Sequence, residues 1–116
     1  RFSARLDLSG AFRCNCSICL KTGATVVACS PSDFTLTAGD GDLLEYVFNT
    51  RTLTRFLCRH CGIVCFARGT GPDGNPMVGV NVNTLDDAEV SALRVVYFDG
   101  RHDRFEPQAA PVPLFQ

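Results

Sequence analysis

Cysteine spacing is the tightest constraint on how this chain can fold. Three of its seven cysteines fall in the run Cys14-Asn15-Cys16-Ser17-Ile18-Cys19, and two more in Cys58-Arg59-His60-Cys61-Gly62. Cys14 and Cys16 are too close in sequence to pair comfortably with each other. The odd cysteine count also argues against a complete disulfide framework. Tight C-x-C and C-x-x-C clusters in a chain with no secretory signature point instead to metal ligands.

Zinc takes sulfur or nitrogen donors in a tetrahedron, and a C-x-x-C turn brings two thiolates onto one ion. Gly62, directly after Cys61, suits the positive φ that such a turn needs. Cys58 and Cys61 therefore read as a zinc knuckle, which supplies two ligands and needs two more. Cys14, Cys16 and Cys19 supply three donors from one short loop. That leaves a fourth position open to water or substrate, the pattern of catalytic zinc. Their sulfurs are expected to converge to within about 4 Å of one another. Three thiolates on Zn²⁺ carry a net charge of −1, and Arg13 and Lys21, flanking the loop, are candidates to offset it and to bind substrate. No Asp or Glu lies in or beside either cluster in sequence, so no general base is visible there.

The chain has 116 residues and is 46% hydrophobic, enough for a core, and is expected to form one domain over residues 1–116. A formal net charge of −1 offers no long-range attraction for nucleic acid or an anionic membrane. No apolar run approaches the roughly 18 residues of a membrane span, and the first residues lack an apolar signal core. A cytoplasmic protein is expected.

Alternation of apolar and polar residues predicts short strands throughout. Phe2, Ala4, Leu6 and Leu8 share one face of the first. Strands are expected over residues 24–29, 34–38, 44–48, 53–57, 63–68, 77–82 and 93–98. Turns are expected at Ser30-Pro31-Ser32-Asp33 and Gly39-Asp40-Gly41-Asp42. Residues 84–89 are expected to form one helical turn, residues 49–52 and 69–76 loops, and residues 107–116 an irregular surface tail. The fold class is all-β.

Several runs together resemble the glutathione-dependent formaldehyde-activating enzyme family, which also includes centromere protein V. They are Cys14-Asn15-Cys16-Ser17-Ile18-Cys19-Leu20-Lys21-Thr22-Gly23-Ala24, Tyr46-x-Phe48-Asn49-Thr50, Phe56-Leu57-Cys58-Arg59-His60-Cys61-Gly62, Val80-Asn81-Val82-Asn83-Thr84-Leu85-Asp86-Asp87 and Phe98-Asp99-Gly100-Arg101-His102-Asp103. The resemblance covers nearly the whole chain. It implies an Mss4-like β fold with two zinc sites. Cys14, Cys16 and Cys19 would hold the catalytic zinc. Cys58 and Cys61 would share a structural zinc with an upstream C-x-C, a segment that would precede Arg1, so that only half of that site is expected here. It also implies glutathione and formaldehyde as partners and a carbon–sulfur lyase-type activity resembling S-hydroxymethylglutathione synthesis. The residues themselves ask only for a thiol and an electrophilic carbon.

Other readings stand beside these. Cys16, Cys19, Cys58 and Cys61 repeat C-x-x-C twice and can close one Cys₄ site, giving a zinc-stabilised binding or scaffolding module without catalysis. Cys29 and Cys65 sit in apolar strands and are expected to pack as small hydrophobes. Cys65 also lies close enough to Cys61 to replace a missing ligand. His60 is expected to face solvent, and His102 to be a solvated loop residue. Arg51 and Arg55 can bind a substrate carboxylate but are expected on a solvated strand face.

Overall fold

The computed structural model describes residues 1–47, 53–71 and 73–112. Among these residues the elements run β1 (Phe2–Ala4), β2 (Phe12–Cys14), α1 (Ser17–Thr22), β3 (Val26–Cys29), β4 (Phe34–Leu36), β5 (Leu43–Val47), β6 (Leu53–Cys58), β7 (Val64–Thr70), β8 (Pro76–Asn81), β9 (Val96–Asp99) and β10 (Arg104–Gln108). The chain is all-β with one short helix, as expected for an Mss4-like fold. No helix among the described residues is long and apolar enough to cross a membrane.

Eight strands form one sheet in the order β10-β9-β2-β3-β8-β7-β6-β5, and β1 pairs with β4 in a small second sheet. Hairpins and antiparallel ladders join β5 to β6, β6 to β7 and β7 to β8. The exception is β2, which runs parallel to β9 with Cys14 opposite Phe98. A parallel pair needs a long crossover, and here most of the chain lies between the two strands.

The core follows from which faces these strands turn inward. Phe66 of β7 is 2% exposed and packs against Phe34, Val78 and Val80. Its ring centroid lies 4.6 Å from that of Phe34, 4.8 Å from Phe56 and 6.0 Å from Phe2. Phe2 and Phe34 belong to the small sheet, so these contacts seat that sheet on the large one. Ala11, Val27 and Val82 form a second buried group beneath Leu6, Leu8 and Leu93. Cys29 and Cys65 are half-buried against the phenylalanine cluster, as expected of small hydrophobes.

Local chemistry explains where the structure departs from the alternation. The first strand ends at Ala4, and Leu8–Gly10 forms a 3₁₀ turn because Asp7 Oδ1 accepts hydrogen bonds from the Ser9 backbone N–H and hydroxyl. The helical turn expected at residues 84–89 is displaced to Val82–Thr84, where Asn81 Oδ1 caps the Asn83 N–H. A further 3₁₀ turn covers Val90–Ala92. The segment expected to be an irregular tail begins as strand, since β10 extends to Gln108. In β5, Leu44 and Tyr46 are both exposed, because this is the edge strand of the sheet. Phe48, the loop at residues 49–52 and residues 113–116 lie outside the described residues.

Phe66→Ala removes the ring on which both sheets meet and is expected to destabilise the fold by about 3–5 kcal/mol. Leu44→Ala on the exposed edge is expected to change stability by no more than about 0.5 kcal/mol. Urea unfolding of both variants checks the contrast.

Candidate metal centre

The three-cysteine run is built from a strand end and a helix start. Cys14 is the last residue of β2, and Cys16 is the N-cap of α1. Counting on from that cap, Cys19 is the third helical residue. Cap and third residue are the two positions whose side chains meet at a helix start, so the C-x-x-C spacing places two sulfurs side by side. The Leu20 N–H donates to the Cys16 carbonyl at 2.8 Å, and Gly23, at φ 68°, closes the helix with its N–H on the Cys19 carbonyl. Only glycine adopts that left-handed conformation without penalty.

The three sulfurs all lie within 4.8 Å of one another. Zinc–sulfur bonds of about 2.3 Å in a tetrahedron set sulfurs about 3.8 Å apart. A contraction of an ångström or less thus brings the trio onto an ion, and an all-thiol donor set suits a soft or borderline metal. The residues present fit a metal held by three protein ligands. Among the described residues, Cys58 and Cys61 do not join this group, nor do they make a group of three with Cys65 or His60. The geometry therefore gives no support to a closed Cys₄ site made from both clusters.

Without metal the three thiols share their protons unequally. Hydrogen bonds from the Cys14 and Cys19 thiols pull the Cys16 pKa down to about 2, assisted by the nearby Arg55 charge. Hydrogen bonding with Cys14, then with Cys16, pushes Cys19 far up, and hydrogen bonding with Cys16 pushes Cys14 up.

Arg55 differs from its expected place on a solvated face. It is half-buried, and its Nη2 donates to Cys19 Sγ at 3.7 Å. Phe56, the next residue along β6, points into the core, and alternation turns Arg55 to the opposite side. In the sheet order β6 stands four places from β2, roughly 19 Å at about 4.8 Å per strand. The Arg55 side chain and α1 nevertheless meet, at Cys19. Arg13 alternates away from Cys14, and its Nη2 donates to the Gly23 carbonyl at 3.0 Å. It lines a groove with Thr25, Asn83, Leu93 and Tyr97. Lys21 is exposed in the last turn of α1. Arg51 lies outside the described residues.

The second cluster is a tight hairpin turn between β6 and β7. The Cys58 N–H donates to the Ile63 carbonyl at 2.9 Å and the Gly62 N–H to the Cys58 carbonyl at 2.8 Å, with Gly62 at φ 78°. Backbone N–H groups of His60 and Cys61, then the Cys61 thiol, hold the Cys58 thiol below its ordinary range. His60 is largely exposed, and its Nε2 lies 3.0 Å from Asp42 Oδ1. Burial, then the nearby Cys58 and Cys61, raise the Cys65 thiol.

Asp99, a residue that sequence reading left without a role, stands beside the first cluster. It is 4% exposed at the end of β9. Asn15 Nδ2 donates to its Oδ1 at 2.9 Å, and both carboxylate oxygens lie 2.9 Å from His102 Nδ1. The Asn15 amide, with His102 opposite, holds the carboxyl below its usual range against the effect of burial. His102 is thus half-exposed but anchored, rather than a freely solvated loop residue. The Phe98-Asp99-Gly100 run was visible in the sequence, but nothing local connects it to a loop more than eighty residues upstream.

A thiol with a lowered pKa is ionised at every pH above it, so its alkylation rate stays flat where an ordinary thiol's rises. In metal-free protein, Cys16 is expected to react with iodoacetamide at a nearly constant rate from about pH 5 to 8. Cys29, whose pKa is raised by burial and then by Asp33, should react faster as pH increases. Mass spectrometry of samples alkylated at stepped pH distinguishes the two.

The sequence profile described as glutathione-dependent formaldehyde-activating enzyme matches residues 1–108. The crystal structure of a Rhodobacter sphaeroides protein is similar to this fold, with a TM-score of 0.69 and 31% identity, over 76% of this chain and 81% of that one. The match to the profile takes in both cysteine clusters and the β9 turn, and the chain belongs to the glutathione-dependent formaldehyde-activating enzyme family.

Proposed function

We propose that this chain is a zinc-dependent carbon–sulfur lyase-type enzyme that binds a glutathione-like thiol and forms or cleaves its adduct with a small aldehyde such as formaldehyde. The observation that carries this reading is the convergence of Cys14, Cys16 and Cys19 to within 4.8 Å with a guanidinium on one of the sulfurs. Three ligands leave a position open, which a closed structural site does not. Cys58 and Cys61 are assigned as two ligands of a structural zinc, since their hairpin already directs N–H groups at sulfur.

Zinc bound by Cys14, Cys16 and Cys19 would supply Lewis acidity, lowering the pKa of a thiol at its remaining position. Arg55 offsets the excess negative charge of three thiolates from within the site, a role expected of Arg13 and Lys21 on sequence grounds. Its planar fork retains donors to orient an anionic group of the substrate. Arg13 and Lys21 lie at the other end of α1, where they provide a positive border for a peptide-like thiol. The chemistry needs no oxidant or reductant. The sulfur lone pair forms the C–S bond, the carbonyl π pair moves to oxygen, and the thiol proton finishes on that oxygen as a hemithioacetal. The reverse path cleaves the same bond. Free cysteines throughout suit a reducing compartment such as the cytoplasm.

Magnetisation-transfer NMR between glutathione, formaldehyde and their adduct measures the exchange directly. The zinc-loaded chain is expected to accelerate it, and Cys19→Ser to lose the acceleration together with more than about 100-fold in zinc affinity, beyond the roughly 10–100-fold cost of altering a ligand's neighbour. Exchange at the uncatalysed rate in fully loaded protein would sink the enzyme reading.

Arg55→Met is expected to raise KM for an anionic thiol about tenfold, as loss of a charge-assisted hydrogen bond of about 1.5 kcal/mol predicts. A neutral thiol of similar size should show a smaller change. Equal effects on both thiols would place Arg55 outside substrate binding.

A further inference from the structure

We infer that Asn15 and Asp99 are positioning residues of the metal centre, a clamp that holds the Cys14–Cys16 segment in its ligating shape before metal arrives. Asn15 is the residue between two of the three converging sulfurs, and its backbone N–H and both polar atoms of its side chain are tied to β9 or the turn after it. Its backbone N–H donates to the Phe98 carbonyl at 3.2 Å. Its Oδ1 accepts from the Arg101 N–H at 2.9 Å, and its Nδ2 donates to Asp99 Oδ1 at 2.9 Å. One amide orientation satisfies both side-chain partners, because a backbone N–H needs an acceptor and a carboxylate needs a donor. Asp99 is buried and is bracketed on its far side by His102. Its carboxylate therefore cannot turn away without leaving a charge unpaired.

Gly100 completes the arrangement. A Cβ there would collide with Cys14 Sγ and would sit in van der Waals contact with Cys16 Cβ. The turn after Asp99 can thus pass against the sulfurs only because position 100 has no side chain. A loop fixed in this way pays less ordering entropy when it binds metal, which is how residues beyond the ligands raise affinity.

The inference rests on the metal reading of Cys14, Cys16 and Cys19, and the test separates the two. The chain is titrated with Co²⁺ alone and with Zn²⁺ alone against a competing chelator, with the sulfur-to-cobalt charge-transfer band recorded. If the unmodified chain binds neither ion through the three cysteines, the metal reading fails and this inference with it. If it binds, Asn15→Asp is expected to set two carboxylates against each other and weaken both ions by about 10–100-fold, with a shifted charge-transfer band. Adding Asp99→Asn restores donor to acceptor with the roles exchanged, since the carboxylate introduced at position 15 still accepts from the Arg101 N–H. The double variant should recover most of the affinity and the original band. Asn15→Ala, which removes the side-chain bonds without adding charge, should weaken binding in the same range even if Asn15→Asp fails to fold. Unchanged affinity in Asn15→Ala, or a folded double variant no tighter than Asn15→Asp, would overturn the clamp.

Discussion

The parallel pairing of β2 with β9 is the contact on which the candidate centre depends. It sets Cys14 opposite Phe98 and so brings the end of one strand level with the end of another 84 residues away. Both chains leave the ladder in the same direction, which is what parallel strands do and antiparallel ones do not. The cysteine loop and the Asp99–His102 turn therefore emerge on the same side and wrap around each other. An antiparallel pairing would have sent them to opposite ends of the sheet.

That pairing holds because the rest of the sheet is anchored elsewhere. The phenylalanine cluster around Phe66 fixes β7 and its neighbours against the small sheet, while Ala11, Val27 and Val82 pin β2 and β3 beneath the 3₁₀ turns. The three-cysteine loop lies at the margin of these clusters and contributes no fully buried side chain. Its geometry is then set by hydrogen bonds and by what the cysteines bind. This is a common arrangement for a site, in which a rigid scaffold carries a loop whose own packing is light.

What was legible in the sequence was what is local. The C-x-C-x-x-C run declares three donors because strand end, cap and third helical residue follow one another directly. Gly23 and Gly62 declare their turns because only glycine sits readily at φ 68° and 78°. Arg55 and Asp99 were illegible for the opposite reason. Arg55 lies 36 residues from Cys19 and Asp99 lies 84 from Asn15. Alternation assigned Arg55 correctly to the face away from the core. It could not show that Cys19 of α1 reaches Arg55 there. Asp99 lies in a run that resembles the family, but nothing local gives it a role, and its place beside the cysteines comes from the strand pairing. The displaced turn at Val82–Thr84 shows a smaller failure of the same kind, where one Asn81 side-chain cap outweighed the acidic run that followed.

The two cysteine clusters solve the problem of holding thiolates in different ways, and the difference bears on function. Cys58 and Cys61 sit on a hairpin whose own backbone directs N–H groups at sulfur. The turn is closed by its own backbone hydrogen bonds, and Cys61 is exposed. Cys14, Cys16 and Cys19 are surrounded by groups from two distant segments of the chain: Arg55 for charge, Asp99 (through Asn15 of the loop itself) for shape, and Gly100, next to Asp99, for clearance. Each of these acts around the sulfurs, and none supplies a fourth ligand. A site made only for rigidity gains nothing by leaving its coordination incomplete. A site that binds a substrate needs its ligands held in place beforehand and one face left clear. Of the two clusters, the three-cysteine one has the arrangement that the second requirement asks for, which is why the proposed chemistry is assigned to it.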